Sequence, residues 1–141
     1  MSINTSLTSF NTKFIILSVM EKSKSLAEKL KQDIKRIKKE IASVGLVKKG
    51  SITKCYQACR NPNCRCNKDP KFKHGPYFLL TFKSKAKTRT FAVPQDMLSE
   101  VSGYMENYKL LMSMVKQLEE ISEKIIKIRI ENYKMQQKKS G

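Results

Sequence analysis

The sequence predicts an α+β protein in which two long helices form an antiparallel, coiled-coil-like hairpin with a small β module inserted between them. Three observations predict this fold class. Apolar residues recur at helical spacing before residue 45 and again after residue 94. Between these stretches, two segments rich in aromatic and β-branched residues flank a polar connection, as in a β-hairpin. All four cysteines and the only histidine of the 141 residues lie in the same central part.

The first helix is predicted over residues 21–45, after an N-terminal extension of residues 1–20 that we expect to be poorly ordered. Ser25 and Glu28 have the spacing of a capping box, and Gly45 is typical of the position just past a helix end. The apolar seam of this helix runs through Ala27, Leu30, Ile34, Ile37, Ile41 and Val44. These three- and four-residue steps favour packing against the second helix, and dimerisation through a coiled coil is the open alternative.

The central β module is predicted over residues 50–93. Residues 51–56 alternate weakly, as in a strand, and two stronger strands follow in "GPYFLLTFK" and "KTRTFAVP". The side chains expected on one face of these two strands are Phe78, Leu80, Phe82, Phe91 and Val93.

The second helix is predicted over residues 94–136, followed by a frayed tail of residues 137–141. Pro94 suits a helix N-terminus, and Gly103 is tolerated inside the pattern. The apolar positions with helical spacing are Val101, Tyr104, Tyr108, Leu111, Val115, Leu118, Ile121, Ile125 and Ile128.

Positive charge is concentrated in the β module. The whole chain has a formal net charge of +17, and residues 51–93 hold ten Lys and Arg residues against a single acid, Asp69. A polyanionic partner would therefore be attracted to this module, and we expect that partner to be nucleic acid, with DNA favoured over RNA. An acidic protein as the partner, and a solvated lysine-rich surface with no such partner, are the open alternatives. The predicted contacts are Lys54, Arg60, Arg65, Lys68, Lys71, Lys73, Lys83, Lys85, Lys87 and Arg89.

The longest apolar run, "FIILSVM" at residues 14–20, is too short to span a bilayer and has no signal-peptidase site behind it. We therefore expect a cytoplasmic protein with no membrane partner. In that compartment disulfides do not persist, so the cysteines need another explanation.

The cysteines and the histidine follow the pattern Cys-x3-Cys-x4-Cys-x-Cys-x7-His. Zinc binds four thiolate or imidazole ligands, usually from tight turns, and Asn61, Pro62 and Asn63 are turn formers inside the cluster. We predict a structural zinc knuckle formed by Cys59, Cys64, Cys66 and His74, with Cys55 as the substitute for His74. Cysteines without metal and a redox centre are the alternatives.

Catalysis is not expected. A catalytic zinc needs an open coordination position and a nearby general base, and Asp69 is the only carboxylate of the module. The single histidine leaves no Cys–His or Ser–His pair, and the chain has no Gly-rich phosphate loop.

The stretches "GSITKCYQACRNPNCRC", "HGPYFLLTF", "KTRTFAVP" and "VSGYMENYKLL" resemble an uncharacterised bacterial and archaeal family, a domain of unknown function often encoded near transposase genes. The resemblance covers about residues 50–115. It departs from the family at Arg60 and Asn61, since this chain has Arg60, Asn61 and Pro62 where Gly-Lys-Pro is usual. The matching positions are Gly50, Ser51, Ile52, Tyr56, Cys59, Cys64, Cys66, His74, Gly75, Pro76, Tyr77, Lys87, Thr88, Arg89, Asn107 and Tyr108.

The resemblance implies three cysteines plus the histidine as ligands, with Cys55 a local extra, and it implies no reaction. Two functions follow from the sequence as a whole. The first is a non-enzymatic, zinc-stabilised DNA-binding accessory protein, associated with a mobile element. The second is an adaptor whose helices bind a protein such as a transposase, or a second copy of the chain in a homodimer.

Overall fold

The computed structural model describes the backbone of residues 4–141 and the side chains of residues 11–141. The elements are helix α1 (Asn4–Ser43), strands β1 (Ser51–Gln57), β2 (His74–Ser84) and β3 (Lys87–Val93), and helix α2 (Leu98–Lys139), with 3-10 turns at Arg65–Asn67, Pro70–Phe72 and Gln95–Met97. The predicted α+β class is confirmed. The chain forms two compact units: Val44–Met112 is the β unit, and α1 with Ser113–Gly141 is the helical unit.

Helix α1 begins at Asn4, so the predicted start at residue 21 is wrong. The backbone of residues 4–20 is helical and continues α1 toward the N-terminus, and residues 1–3 of the predicted extension lie outside the described residues. The physical reason is that residues 4–20 contain no Gly or Pro, so nothing in them interrupts a helix. Of the helices in the described chain, none is long and apolar enough to cross a membrane.

In the helical unit, α1 and the later part of α2 run antiparallel. The Ser23 hydroxyl donates to Asn132 Oδ1 at 2.9 Å, whereas Leu30, further along α1, shares a surface groove with Lys124, which lies earlier on α2. Leu30 and Ile37 of the predicted α1 seam are buried. Packing of the coiled-coil type stays a prediction.

The seam of α2 passes through Met114, which is 7% exposed, and not through the predicted Val115, which is 38% exposed. Both choices keep heptad steps between Leu111 and Leu118, so spacing alone cannot distinguish them. The remaining predicted seam positions of α2 in this unit, Leu118, Ile121, Ile125 and Ile128, are half-buried.

The β unit is built on a three-stranded antiparallel sheet in the order β1-β2-β3. Its core consists of Leu80, Phe82 and Val93, with Ile52, Phe78, Val101 and Met105 packed against them. The predicted apolar face of β2 is thereby confirmed. The rings of Phe91 and Phe82 meet edge to face, with their centres 5.0 Å apart. Phe91 nevertheless lies on the edge strand β3 and is 55% exposed.

Two connections hold the sheet in place. The segment before β1 is tied to α2, because Lys48 N donates to Tyr104 O and Asn107 Nδ2 donates to Leu46 O, each at 3.0 Å. Strands β2 and β3 are joined by a two-residue loop, in which Lys85 and Ala86 have φ angles of 50° and 63°. Loops of this kind usually contain Asn or Gly, which tolerate a positive φ more easily.

Helix α2 begins at Leu98, after the 3-10 turn, and ends at Lys139. It therefore starts later than predicted and includes most of the tail that was predicted to fray. Its last residues before Ser140 are Met, Gln and Lys, which are good helix formers.

The buried position of Leu80 gives a test of this core. Replacing Leu80 by Ala should lower the free energy of unfolding of the β unit by about 2–5 kcal/mol, because a cavity replaces buried methyl groups. The matched control is Leu46→Ala, since Leu46 is 68% exposed and its loss should cost less than about 0.5 kcal/mol. Chemical denaturation followed by tyrosine fluorescence measures both variants, and equal costs would contradict the assignment of the core.

Candidate metal centre

Four side chains of the β unit converge on one point. Cys59 lies in the loop after β1, Cys64 directly precedes the first 3-10 turn, Cys66 lies in that turn, and His74 is the first residue of β2. Their three Sγ atoms and a ring nitrogen of His74 all lie within 4.8 Å of one another. These are the four ligands predicted from the sequence.

The distances between these ligand atoms fit an ion with tetrahedral coordination. Cys59 and Cys66 have their Sγ atoms 3.4 Å apart, and Cys64 Sγ lies 3.3 Å from His74 Nε2. Zinc–sulfur bonds of about 2.3 Å place two sulfur ligands about 3.8 Å apart at tetrahedral angles. Small side-chain rotations would therefore bring all four atoms to coordination distance.

The turn formers between the cysteines create this convergence. Asn61 O accepts from Cys64 N at 3.2 Å, and Asn61 Oδ1 accepts from Asn63 N at 3.0 Å, which closes the Asn-Pro-Asn turn. Cys59 N donates to Cys66 Sγ at 3.2 Å, so the loop also supplies a donor to a ligand sulfur. Asp69 caps the second 3-10 turn by accepting from Lys71 N at 2.9 Å.

Gly75 allows His74 to reach the cysteines. Its φ angle is +141°, a conformation that L side chains rarely adopt, and a Cβ here would lie 2.9 Å from both Cys55 O and Tyr56 Cδ1. The pairing of β1 with β2 is irregular at the same place, between Cys55 and Gln57. A glycine therefore lets the two strands approach closely at the end of the sheet that holds His74.

Cys55 lies outside the cluster. It is paired with Tyr77 across the β1–β2 ladder, and its Sγ accepts from Gln57 Nε2 at 3.7 Å. The structure thus groups His74 with the other three cysteines and does not need Cys55 as a substitute.

The donor set fits a structural zinc ion. Three thiolates and one imidazole are ligands that zinc prefers, and the cluster contains no carboxylate. Cys66 is buried, Cys59 and Cys64 are half-buried, and His74 is exposed. Cys66 is also the only buried residue between β1 and β2, so apolar packing contributes little to holding this segment.

The thiols differ in their acidity. Hydrogen bonds to its sulfur, above all from the backbone N–H of Cys66, lower the pKa of Cys64 to about 6. Burial is the main cause that raises the pKa of Cys66 to about 11. At neutral pH Cys64 is therefore a thiolate, whereas Cys66 gives up a proton when a metal binds.

The ten predicted DNA-contacting cations are all exposed, but they form two groups. Five of them lie in the knuckle loop before β2 and Lys54 lies on β1 opposite Phe78, whereas the other four lie at the hairpin end of β2 and β3. The knuckle group is Lys54, Arg60, Arg65, Lys68, Lys71 and Lys73. The hairpin group is Lys83, Lys85, Lys87 and Arg89.

Phe72 is an exposed side chain of the knuckle loop that the sequence analysis did not single out. It is 51% exposed in the second 3-10 turn, and Arg65 Cζ lies 5.8 Å from its ring centre. An aromatic residue between two lysines in a segment that has no other large apolar side chain is the signal that could have identified it.

The β unit is therefore a small β module that combines a candidate metal centre of three cysteines and one histidine with a strongly basic surface. The chain belongs to the family described as Domain of unknown function (DUF6788), whose model matches residues 27–103. No curated protein and no solved structure matches the chain.

Metal content gives the first test of the centre. Purified protein should contain about one equivalent of zinc per chain, and Cys64→Ser should contain less than half an equivalent, because one of four ligands is lost. Proteolysis of that variant should increase between residues 58 and 73, while the Leu80 core keeps the sheet folded. Cys55→Ser is the matched control and should retain the metal. Equal zinc loss in both variants would contradict this ligand set.

The pH dependence of zinc affinity gives the second test. Affinity should fall as the pH decreases from 8, because Cys66 must lose a proton for the metal to bind. Below about pH 6 the fall should steepen by about one proton per metal, since Cys64 is then protonated as well. Competition with a chromogenic chelator measures this slope. A slope that stays constant through pH 6 would contradict the lowered pKa of Cys64.

Proposed function

We propose that this protein is a non-enzymatic, zinc-stabilised DNA-binding accessory protein that acts in the cytoplasm. The observation that carries the proposal is the charge of the β unit. Residues 51–93 contain ten exposed cations and one carboxylate, Asp69, which caps a turn. Among the residues that the structure describes, none of these cations forms an ion pair within 4.0 Å, so their charge is available to a polyanion.

The role proposed for the metal is structural. When bound by Cys59, Cys64, Cys66 and His74, zinc would supply a cross-link between the knuckle loop and β2. The side chains of the chain itself would then bind DNA. Arg60 and Arg65 flank ligand cysteines in the sequence, so the knuckle fixes the part of the backbone that carries them.

The contacts are expected to be mainly to phosphates. Lysines predominate in both cationic groups, and a lysine binds phosphate as a point charge without reading the base sequence. Arg60, Arg65 and Arg89 are the side chains that could recognise guanine edges. We therefore propose modest sequence specificity and strong salt dependence.

The resemblance described above supports a mobile-element setting. It associates this kind of domain with neighbouring transposase genes, and genomic association by itself defines no chemistry.

A second candidate function is a protein-interaction adaptor. Ile126, Ile130 and Tyr133 recur at helical spacing on α2 and are 57%, 49% and 62% exposed. Such a stripe is typical of a helix that meets a protein partner, such as a transposase or a second copy in a homodimer.

Salt titration of DNA binding tests the proposed function. Fluorescence anisotropy with labelled duplex DNA, single-stranded DNA and RNA should show binding at about 50 mM salt that weakens steeply as salt rises. The double variant Lys71→Gln/Lys73→Gln and the double variant Lys83→Gln/Lys85→Gln each remove two cations from one group. Each should reduce the salt slope on duplex DNA by about 1.8 if both of its lysines contact phosphates.

The control is Lys134→Gln/Lys138→Gln, two exposed lysines of α2, which should leave the slope unchanged. Absence of DNA binding at about 50 mM salt, or binding that is insensitive to salt, would refute the DNA-binding function. The adaptor function would then be the surviving candidate, and tighter binding to RNA than to DNA would reassign the partner.

A further inference from the structure

Three aromatic side chains of the knuckle region are largely exposed. Tyr56 and Phe72 are each 51% exposed, and Tyr77 is 45% exposed. By contrast, Phe78 and Phe82 of the same unit pack in or against the core. Exposed rings of this size leave apolar surface in contact with water. Packing in the core does not explain why three of them lie in the knuckle region, whereas a binding partner that covers them would.

The three rings lie near the His74 end of the sheet, but on both of its faces. Tyr77 pairs with Cys55, so Tyr56, the next residue of β1, projects from the opposite face, which also carries Lys54. Phe72 precedes His74 by two residues, and Tyr77 follows it by three residues on β2. The Tyr56 ring lies against Gly75, as the close approach of Tyr56 Cδ1 to that residue shows. The rings therefore belong to one end of the sheet, which we call the aromatic knuckle surface: Tyr56, Phe72, Tyr77 and their cationic neighbours.

Cations accompany two of these rings. Lys54 Nζ lies 5.8 Å from the centre of the Tyr56 ring, and Arg65 Cζ lies 5.8 Å from the centre of the Phe72 ring. Each pair offers a flat apolar face and a positive charge side by side. A nucleotide presents the matching combination of a flat base and a negative phosphate.

Tyr77 also lines a shallow pocket between β2 and β3. The pocket has a volume of about 270 Å³, and Pro76, Pro94 and Gln95 are among its other lining residues. Its walls are mainly apolar, and Gln95 carries an amide that can both donate to and accept from the edge of a base. These are the features of a site for one planar, polar-edged ring.

We propose that the aromatic knuckle surface binds unpaired bases, so that the protein prefers single-stranded DNA to duplex DNA. Tyr56, Phe72 and Tyr77 each stack on an unpaired base, the pocket beside Tyr77 holds the base that stacks there, and Lys54 and Arg65 bind phosphates beside Tyr56 and Phe72. In a duplex the faces of the bases are already stacked on one another, so these rings have nothing to contact. This inference rests on the proposed DNA-binding function and specifies its substrate.

The experiment compares three labelled oligonucleotides of about 20 nucleotides: oligo-dT, an abasic strand of equal length and a duplex. Oligo-dT should bind at least tenfold more tightly than either of the others, because only it offers free base faces. Phe72→Leu and Tyr77→Leu should each weaken oligo-dT binding by roughly fivefold to a hundredfold and leave duplex binding within about twofold. Zinc content should remain that of the wild type, which separates loss of stacking from loss of the knuckle.

Tyr133→Leu is the matched control, since Tyr133 is an exposed tyrosine of α2 and should not affect binding. The chain contains no tryptophan, so quenching of tyrosine fluorescence by oligo-dT reports stacking directly and should decrease in Tyr77→Leu. Equal binding of oligo-dT, the abasic strand and the duplex would overturn the inference while leaving DNA binding intact. Displacement of oligo-dT by poly-glutamate of equal charge at equal concentration would also overturn it. Absence of binding to every oligonucleotide would instead refute the proposed function itself.

Discussion

The thiols of Cys59, Cys64 and Cys66 and the imidazole of His74 meet within 4.8 Å in a part of the chain that buries almost nothing else. Between β1 and β2 only Cys66 is buried, whereas the sheet has its own core of Leu80, Phe82 and Val93. A loop of this length cannot offset its conformational entropy with so little apolar burial. The ligand cluster is therefore the interaction on which the position of the knuckle loop, and of every side chain that it carries, depends.

The same cluster shapes the electrostatics of the surface around it. If zinc binds, its charge of +2 and three thiolates with charge −1 each would give the centre a net charge of −1. Arg60 and Arg65, which adjoin ligand cysteines, offset this negative charge and keep the region attractive to an anion. The lone carboxylate, Asp69, is occupied in capping a turn. Loss of the metal would thus alter both the geometry and the charge of the proposed binding surface.

The sequence predicted which four side chains meet because spacing and turn formers restrict the possibilities. Spacing alone left Cys55 as a substitute, and the register that pairs it with Tyr77 places it outside the cluster. The start of α1 could not be predicted, since Ser25 and Glu28 imitate a capping box inside an uninterrupted helix. Heptad spacing could not choose between Met114 and Val115, because both satisfy it. The tight loop at Lys85 and Ala86 lacks the residues that usually mark such turns. In each of these cases, packing or register decided between locally equivalent alternatives.

The hydrogen bond between Ser23 and Asn132 has a consequence for the alignment of the two helices. Their apolar positions repeat every seven residues, so sliding one helix past the other by one heptad would match apolar side chains almost equally well. After such a slide, however, the Asn132 amide would lose the Ser23 hydroxyl as a partner, whereas Ser23 would keep the Met20 carbonyl, which lies 2.8 Å away. The Ser23–Asn132 pair thus favours one alignment over others that hydrophobic contact alone would accept.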